Sequence, residues 1–211
     1  MRTCRYLLAG LLAGAALVTG ACEEPEVPVI GLTGGWSTAG CEFPREPATV
    51  TVGRRVLPAT PPELEAAMAR IDSGGRADHA TSYAGLEVDQ ENVRAVVYRV
   101  PSAAFDDFVR QAAENTCILV RDARHSLGEL TTWHDHLVAD LPAWGRQGVA
   151  VSTVTARHDG AGVEVGVPDP ELARREMVLR YGDAAPLIFV REGPVVPLAG
   201  SGVPTVPPPG G

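Results

Sequence analysis

Apolar positions in the middle of the chain follow two periods that alternate along it. Four segments repeat at helical spacing. Thr60-Pro61-Pro62-Glu63 has the form of a capping box with proline at the first helical position, and Leu64, Ala67, Met68 and Ile71 follow it on one stripe. Ser102 opens a second predicted helix, with Phe105, Phe108, Val109 and Ala112 on its apolar side. Ser126 and Glu129 form another capping box ahead of Leu127, Leu130, His134, Leu137, Leu141 and Trp144. Asp169-Pro170 starts the fourth helix and Gly182 ends it. Between the helices lie alternating or β-branched runs: Thr49 to Val56, Thr81 to Val88, Val93 to Val100, Cys117 to Val120, Val149 to Thr155, Gly162 to Val167 and Leu187 to Val190. Asp159-Gly160 is a hairpin turn signal, and Asp89-Gln90-Glu91-Asn92 links the other predicted hairpin.

Read in order, these segments spell strand, helix, hairpin, helix, strand, then helix, hairpin, helix, strand. That order predicts an α+β fold of two tandem ferredoxin-like lobes, of the β-α-β-β-α-β type, over residues 49–122 and 123–192. Each lobe is expected to be an antiparallel sheet with its helices on one face, and Arg121 to His125 is the expected junction. The halves also echo each other locally. Val100-Pro101-Ser102 matches Val167-Pro168-Asp169, and Ile118-Leu119-Val120-Arg121-Asp122 matches Ile188-Phe189-Val190-Arg191-Glu192, the pattern of an internal duplication.

The ends read differently. Arg2 and Arg5 precede an apolar stretch from Tyr6 to Val18, which gives way to small residues before Cys22, the three-part order of a secretory leader. Its apolar run of about 13 residues is shorter than the roughly 20 of a spanning helix. Val18-Thr19-Gly20-Ala21-Cys22 resembles the bacterial lipobox, in which the cysteine is acylated before the leader is cut. The resemblance implies a leader over 1–21, lipidation at Cys22 and a chain held outside the cytoplasm on the cell membrane; the alternative is a plain secreted protein whose Cys22 pairs in a disulfide. Residues 22–48, rich in Pro and Gly as far as Gly40, are expected to form a flexible tether. Residues 193–211 carry six prolines and no periodicity, which predicts a disordered tail.

Composition narrows the function classes. Net charge is -8, and losing Arg2 and Arg5 with the leader brings it to about -10, so the chain lacks the basic footprint of a nucleic-acid binder. Such a chain is repelled by anionic headgroups unless something tethers it. Aromatic residues make up only 5% of the sequence, so the core must be aliphatic. With Cys4 in the leader and Cys22 at the lipidation position, Cys41 and Cys117 remain, and in an oxidising compartment they are expected to pair.

Candidate chemistry is sparse. Asp72-Ser73-Gly74-Gly75 resembles the end of the nucleophile motif of trypsin-like proteases, but no histidine precedes Ser73, and Gly74 is expected to stop the preceding helix in a loop. Trp133-His134-Asp135-His136 suggests a metal site, yet two residues apart on a helix point about 200° from each other. His134 is therefore expected in the core or an interface and His136 in solvent. Asp135 with His79, His125 or His158 is a conceivable dyad that no spacing demands. Asp106-Asp107 and Glu23-Glu24 read as solvated acids. The expectation is a chain with no catalytic residues, no metal and no cofactor.

One further resemblance bears on function. Tyr83-Ala84-Gly85-Leu86-Glu87-Val88-Asp89, its turn and Val96-Val97, together with Gly148-Val149, Asp159-Gly160 and Val163 to Val167, are similar to the pro regions of secreted bacterial serine proteases of the α-lytic and streptogrisin type. The similarity covers the two hairpins and adjoining helices. It implies a non-catalytic module that binds a protease and helps it fold, partly by adding strands at a sheet edge. The residues after the last predicted strand are too few for a protease domain. The sequence therefore points to a non-enzymatic envelope lipoprotein that binds a protein partner, or else to a separate inhibitor or folding helper of such a protease.

Overall fold

The computed structural model describes residues 34–43 and 45–193. The expected leader, Cys22, the tether as far as residue 33 and the tail from residue 194 lie outside the described residues.

The fold is α+β, with four α-helices and three sheets among the described residues. The elements are β1 (Trp36–Ser37), a short 3₁₀ turn (Ala39–Glu42), β2 (Ala48–Val52), β3 (Arg55–Ala59), α1 (Pro62–Asp78), β4 (Tyr83–Asp89), β5 (Arg94–Arg99), α2 (Ala103–Ala113), β6 (Ile118–Asp122), α3 (Leu127–Arg146), β7 (Thr153–Ala156), β8 (Val163–Val167), α4 (Pro170–Tyr181) and β9 (Leu187–Arg191). One sheet has the order β1-β6-β5-β4, another β7-β8-β9, and β2 pairs with β3 alone. Two cores follow from these sheets. The first gathers Leu64, Ile71, Tyr83, Val97, Phe105, Val109, Ile118 and Val120. The second gathers Leu130, Leu137, Trp144, Val163, Val165, Val167, Ala173 and Met177.

The sheets depart from the expected antiparallel form, and the residues 49–56 explain why. They are not one strand but the two arms of a hairpin, turned at Gly53, whose φ of 62° is the left-handed conformation that glycine adopts without strain. In a β-α-β-β-α-β sheet the first strand lies between the third and the fourth. With that strand elsewhere, β5 and β6 pair directly, and the α2 crossover returns the chain in the same direction, so the pair is parallel. β8 and β9 are parallel for the same reason, while β4-β5 and β7-β8 are antiparallel hairpins. The echo between Ile118 and Ile188 is also out of phase. Ile118 turns its backbone away from β5, where its carbonyl accepts from Thr38 N–H, whereas the bonds from Val163 N–H to Pro186 O and Glu192 N–H to Val167 O turn Ile188 toward β8.

Other local expectations sort by what the neighbours supply. Ser102, Ser126 and Asp169 cap their helices through the amides of Phe105, Glu129 and Leu172. Thr60 does not: Pro61 takes the cap position without a side-chain bond, and the Thr60 hydroxyl accepts from Gln90 Nε2 at 3.1 Å. Part of the expected tether is folded, because Trp36 and Ser37 pair with Val120 and Leu119. Gly74 does not stop α1, which runs on to Asp78.

Packing is the reason. A Cβ on Gly75 would lie 2.6 Å from Tyr83 Cγ, and one on Gly74 would lie 2.3 Å from Phe108 Cζ. The pair thus lets the rings of Phe108 and Tyr83 seat directly against the backbone of α1. Gly145, in α3, has open space around it. Gly75→Ala is expected to destabilise the fold by about 1–2 kcal/mol, because overpacking against the fully buried Tyr83 outweighs the helix propensity gained. Gly145→Ala is expected to stabilise by about 0.5–1 kcal/mol. Urea unfolding of the two variants beside the parent tests the sign of each.

Candidate functional site

β9 is a half-buried strand whose outer side is left without a partner strand among the described residues. Leu187, Ile188, Phe189 and Val190 are all half-buried, with Leu187 and Phe189 packed on the second core. One side of the strand pairs with β8, and among the described residues no strand pairs with the other. The bonds from Val163 N–H to Pro186 O and from Glu192 N–H to Val167 O fix the alternation. Residues 186, 188, 190 and 192 therefore face β8, and Leu187, Phe189 and Arg191 turn their backbone groups outward. The Leu187 amide donates to Ala185 O at 2.8 Å, which leaves the amides and carbonyls of Phe189 and Arg191 facing out.

The corresponding edge of the first sheet is covered. There β1 pairs antiparallel with β6, Thr38 N–H donates to Ile118 O, and the Ile118 amide donates to Thr38 Oγ1 at 2.9 Å. Thr38 Oγ1 in turn donates to Thr116 O at 2.7 Å. A Cys41–Cys117 disulfide, as the sequence analysis expects, fastens this segment. Such a bond persists in an oxidising compartment. Past β9 the chain turns the other way, since Ser152 Oγ donates to Gly193 O at 3.1 Å on the β7 side of the sheet.

A groove of about 330 Å³ runs between α4 and β9, lined by Glu171, Arg174, Arg175, Val178, Leu187 and Phe189. The Arg174 guanidinium lies over the Phe189 ring, 5.3 Å from its centroid. Arg174 has no carboxylate partner among the described residues, whereas Arg175 pairs with Glu176 and Arg180 with Asp140. The edge can thus bond an extended backbone, and the groove can hold an apolar or acidic side chain projecting from it. Sequence reasoning finds β9 but not its role. The available signal is the unbroken run Leu187 to Val190, which lacks the alternation of a strand with one wet face.

The other candidates are engaged in structural contacts. His134 is half-exposed and bonds Asp135 Oδ1 at 3.0 Å instead of entering the core, while Leu130, Leu137 and Trp144 on the same helix are buried. His136 is exposed and rests against the rings of Trp133 and Tyr181. Asp140 joins that seam by accepting from Tyr181 OH at 2.6 Å and Arg180 Nη2 at 2.8 Å, and these bonds, Tyr181 first, hold its carboxyl below the usual range. Trp144 Nε1 donates to Tyr181 OH at 3.0 Å, which completes a satisfied α3–α4 network.

His79 stacks on Phe108 and lies tilted against Phe105, His125 bonds Glu129, and His158 bonds Glu87. Asp135 is therefore not brought to any of these three. Tyr98 also donates to Glu87, at 2.8 Å, and burial together with that carboxylate pushes its phenol up to about 12. Ser73 lies within α1, and Asp72 binds Arg76 and the Tyr83 hydroxyl, so the segment is helical packing. Asp106 pairs with the buried Arg99, contrary to the expectation of a solvated acid, and Asp107 pairs with Arg110 at the surface. Among the described residues no cluster of three His, Cys, Asp or Glu is placed to hold a metal ion, and no helix is long and apolar enough to cross a membrane.

Fold and edge together define a disulfide-fastened α+β protein in which the outer side of β6 is covered and, among the described residues, the outer side of β9 is not. No protein-family model matches the chain, and no curated protein is significantly similar to it in sequence.

Proposed function

We propose that this chain is a non-enzymatic envelope lipoprotein, held outside the cytoplasm through Cys22, whose second lobe receives an extended segment of a partner protein along β9. The observation that carries the reading is the contrast between the two edges: β6 is covered by the chain's own β1 and Thr38, while the outward groups of Phe189 and Arg191 find no such cover among the described residues. An uncovered apolar edge is a liability that proteins otherwise block, so its retention favours a use. Arg174 over Phe189 adds a preference for a segment with an acidic side chain. In this reading each lobe is a ferredoxin-like unit without its first strand.

Arg191→Pro tests the edge directly, because it removes an outward amide and leaves the β8 ladder intact, while Arg191→Ala controls for the side chain's bond to Pro168 O. Parent and Arg191→Ala are expected to retain one partner from envelope extracts, and Arg191→Pro to retain it at least about tenfold more weakly. Recovery of no partner above a control, or equal recovery by Arg191→Pro, overturns the reading.

A second reading is a separate inhibitor or folding helper of a secreted serine protease, favoured by the resemblance of the two hairpins to protease pro regions and by the same edge. Mixing the protein with proteases of that type is expected to slow hydrolysis or speed refolding. Unchanged activity and refolding remove it.

A further inference from the structure

The β2–β3 hairpin stands apart from both cores. Every residue from 49 to 58 is exposed, and among the described residues the two strands pair only with each other. Ala48 lies opposite Ala59, Val50 opposite Leu57 and Val52 opposite Arg55, so these six share one face. Val50, Val52 and Leu57 on it are 48%, 61% and 42% exposed. An isolated two-stranded ribbon is marginal in water, and an apolar face on one calls for a cover.

Charge indicates the cover. From residue 47 to residue 62 the sequence holds no Asp or Glu, although the whole chain carries -8. Arg54 and Arg55 stand at the hairpin tip, and neither has a carboxylate partner among the described residues, whereas Arg45 at the base pairs with Glu63. Five residues at about 3.4 Å each place that tip roughly 17 Å from the base, beyond the Debye length of about 8–10 Å over which the acidic body repels an anionic surface.

We infer that this hairpin seats on an anionic lipid surface, its Val50/Val52/Leu57 face in the boundary between headgroups and acyl chains and Arg54 and Arg55 on lipid phosphates. A protein partner fits the same face less well. A ribbon two strands wide offers on the order of 200 Å², against roughly 800 Å² per partner in a stable protein interface. Addition of another strand to β3 is disfavoured too, because the Val52–Arg55 pair closes a two-residue turn and the alternation from it puts the Pro58 nitrogen, which has no hydrogen, on the outer edge. A membrane accepts a small apolar face at any register and supplies phosphates to both arginines. The inference does not need a lipid on Cys22.

The full chain carrying Val50→Trp, with Leu57→Trp as a second reporter and Thr51→Trp on the opposite face, is mixed with phosphatidylglycerol vesicles whose acyl chains are brominated. Val50→Trp and Leu57→Trp are each expected to lose about twofold more emission than the parent's three native tryptophans account for, and Thr51→Trp to lose no more than the parent. Arg54→Glu with Arg55→Glu is expected to abolish the extra quenching, even where another part of the chain keeps the protein on the vesicles. No extra quenching at 50 and 57, equal quenching in phosphatidylcholine vesicles, or equal quenching at 51 overturns the inference. So does a buried-tryptophan emission of Val50→Trp in lipid-free solution with a doubled mass, which would assign the face to a second copy.

Discussion

Replacing Arg99 by alanine is expected to lower the unfolding free energy by about 3–5 kcal/mol, among the largest effects of a single side chain in this protein. Arg99 is 6% exposed at the end of β5. Its Nε donates to Asp106 Oδ1 on α2 at 2.6 Å, its Nη1 bonds Asp122 at the end of β6, and the side chains of these acids are 16% and 4% exposed. Alanine removes the guanidinium and leaves two carboxylates in low dielectric close to each other. The cost is therefore mainly that of charge left behind and not the net worth of the pairs. Guanidinium unfolding measures it. Replacing all three residues together by apolar ones of similar size is expected to cost clearly less than Arg99→Ala. An equal loss in the two cases would assign the effect to packing.

Reduction of the disulfide is expected to cost a similar amount. Cys41 and Cys117 are 76 residues apart, so their bond closes a long loop, and chain entropy places its contribution at about 4 kcal/mol. The loss should have a place as well as a size. With the bond reduced, the two-residue β1, Thr38 and the Arg45 bond to Asn115 O still hold the first segment, but more loosely, and the Ile118 amide, which donates to Thr38 Oγ1, should exchange hydrogen faster than the amides of β5. Calorimetry with and without reductant, followed by hydrogen exchange, tests both. An unchanged melting temperature would place the stability of this edge in Thr38 instead.

The elements are more legible in the sequence than the partners they pack against. The stripes Phe105/Val109/Ala112 and Leu130/Leu137/Trp144 are legible because a helix buries whatever recurs on one side of it, whichever surface it meets. His134 breaks that rule because its ring finds Asp135 and solvent within reach at the edge of the stripe. Gly74, followed by Gly75, reads as a stop because an absent side chain looks the same in a loop and in a close helix contact. Only Phe108 and Tyr83, 34 and 8 residues further on, distinguish the two.

Residues 49–56 are misread for a related reason. Alternating Thr and Val satisfy a strand, and Gly53 allows either a bend or a continuation, so the pairing of Val50 with Leu57 decides. The open edge of β9 is likewise invisible in one strand's residues, because it depends on which neighbour is missing.

What the sequence by itself determines here is local: four helices and most of the strands, the three side-chain caps that form, an acidic aliphatic composition and two cysteines suited to pair. Those follow from backbone sterics, periodicity and covalent chemistry, which act over a few residues. Strand order, the parallel pairing of β5 with β6 and β8 with β9, the burial of Arg99 and the side of β9 left unpaired among the described residues were decided only by the tertiary structure, because each depends on residues far apart in the chain competing for the same hydrogen bonds and the same apolar space.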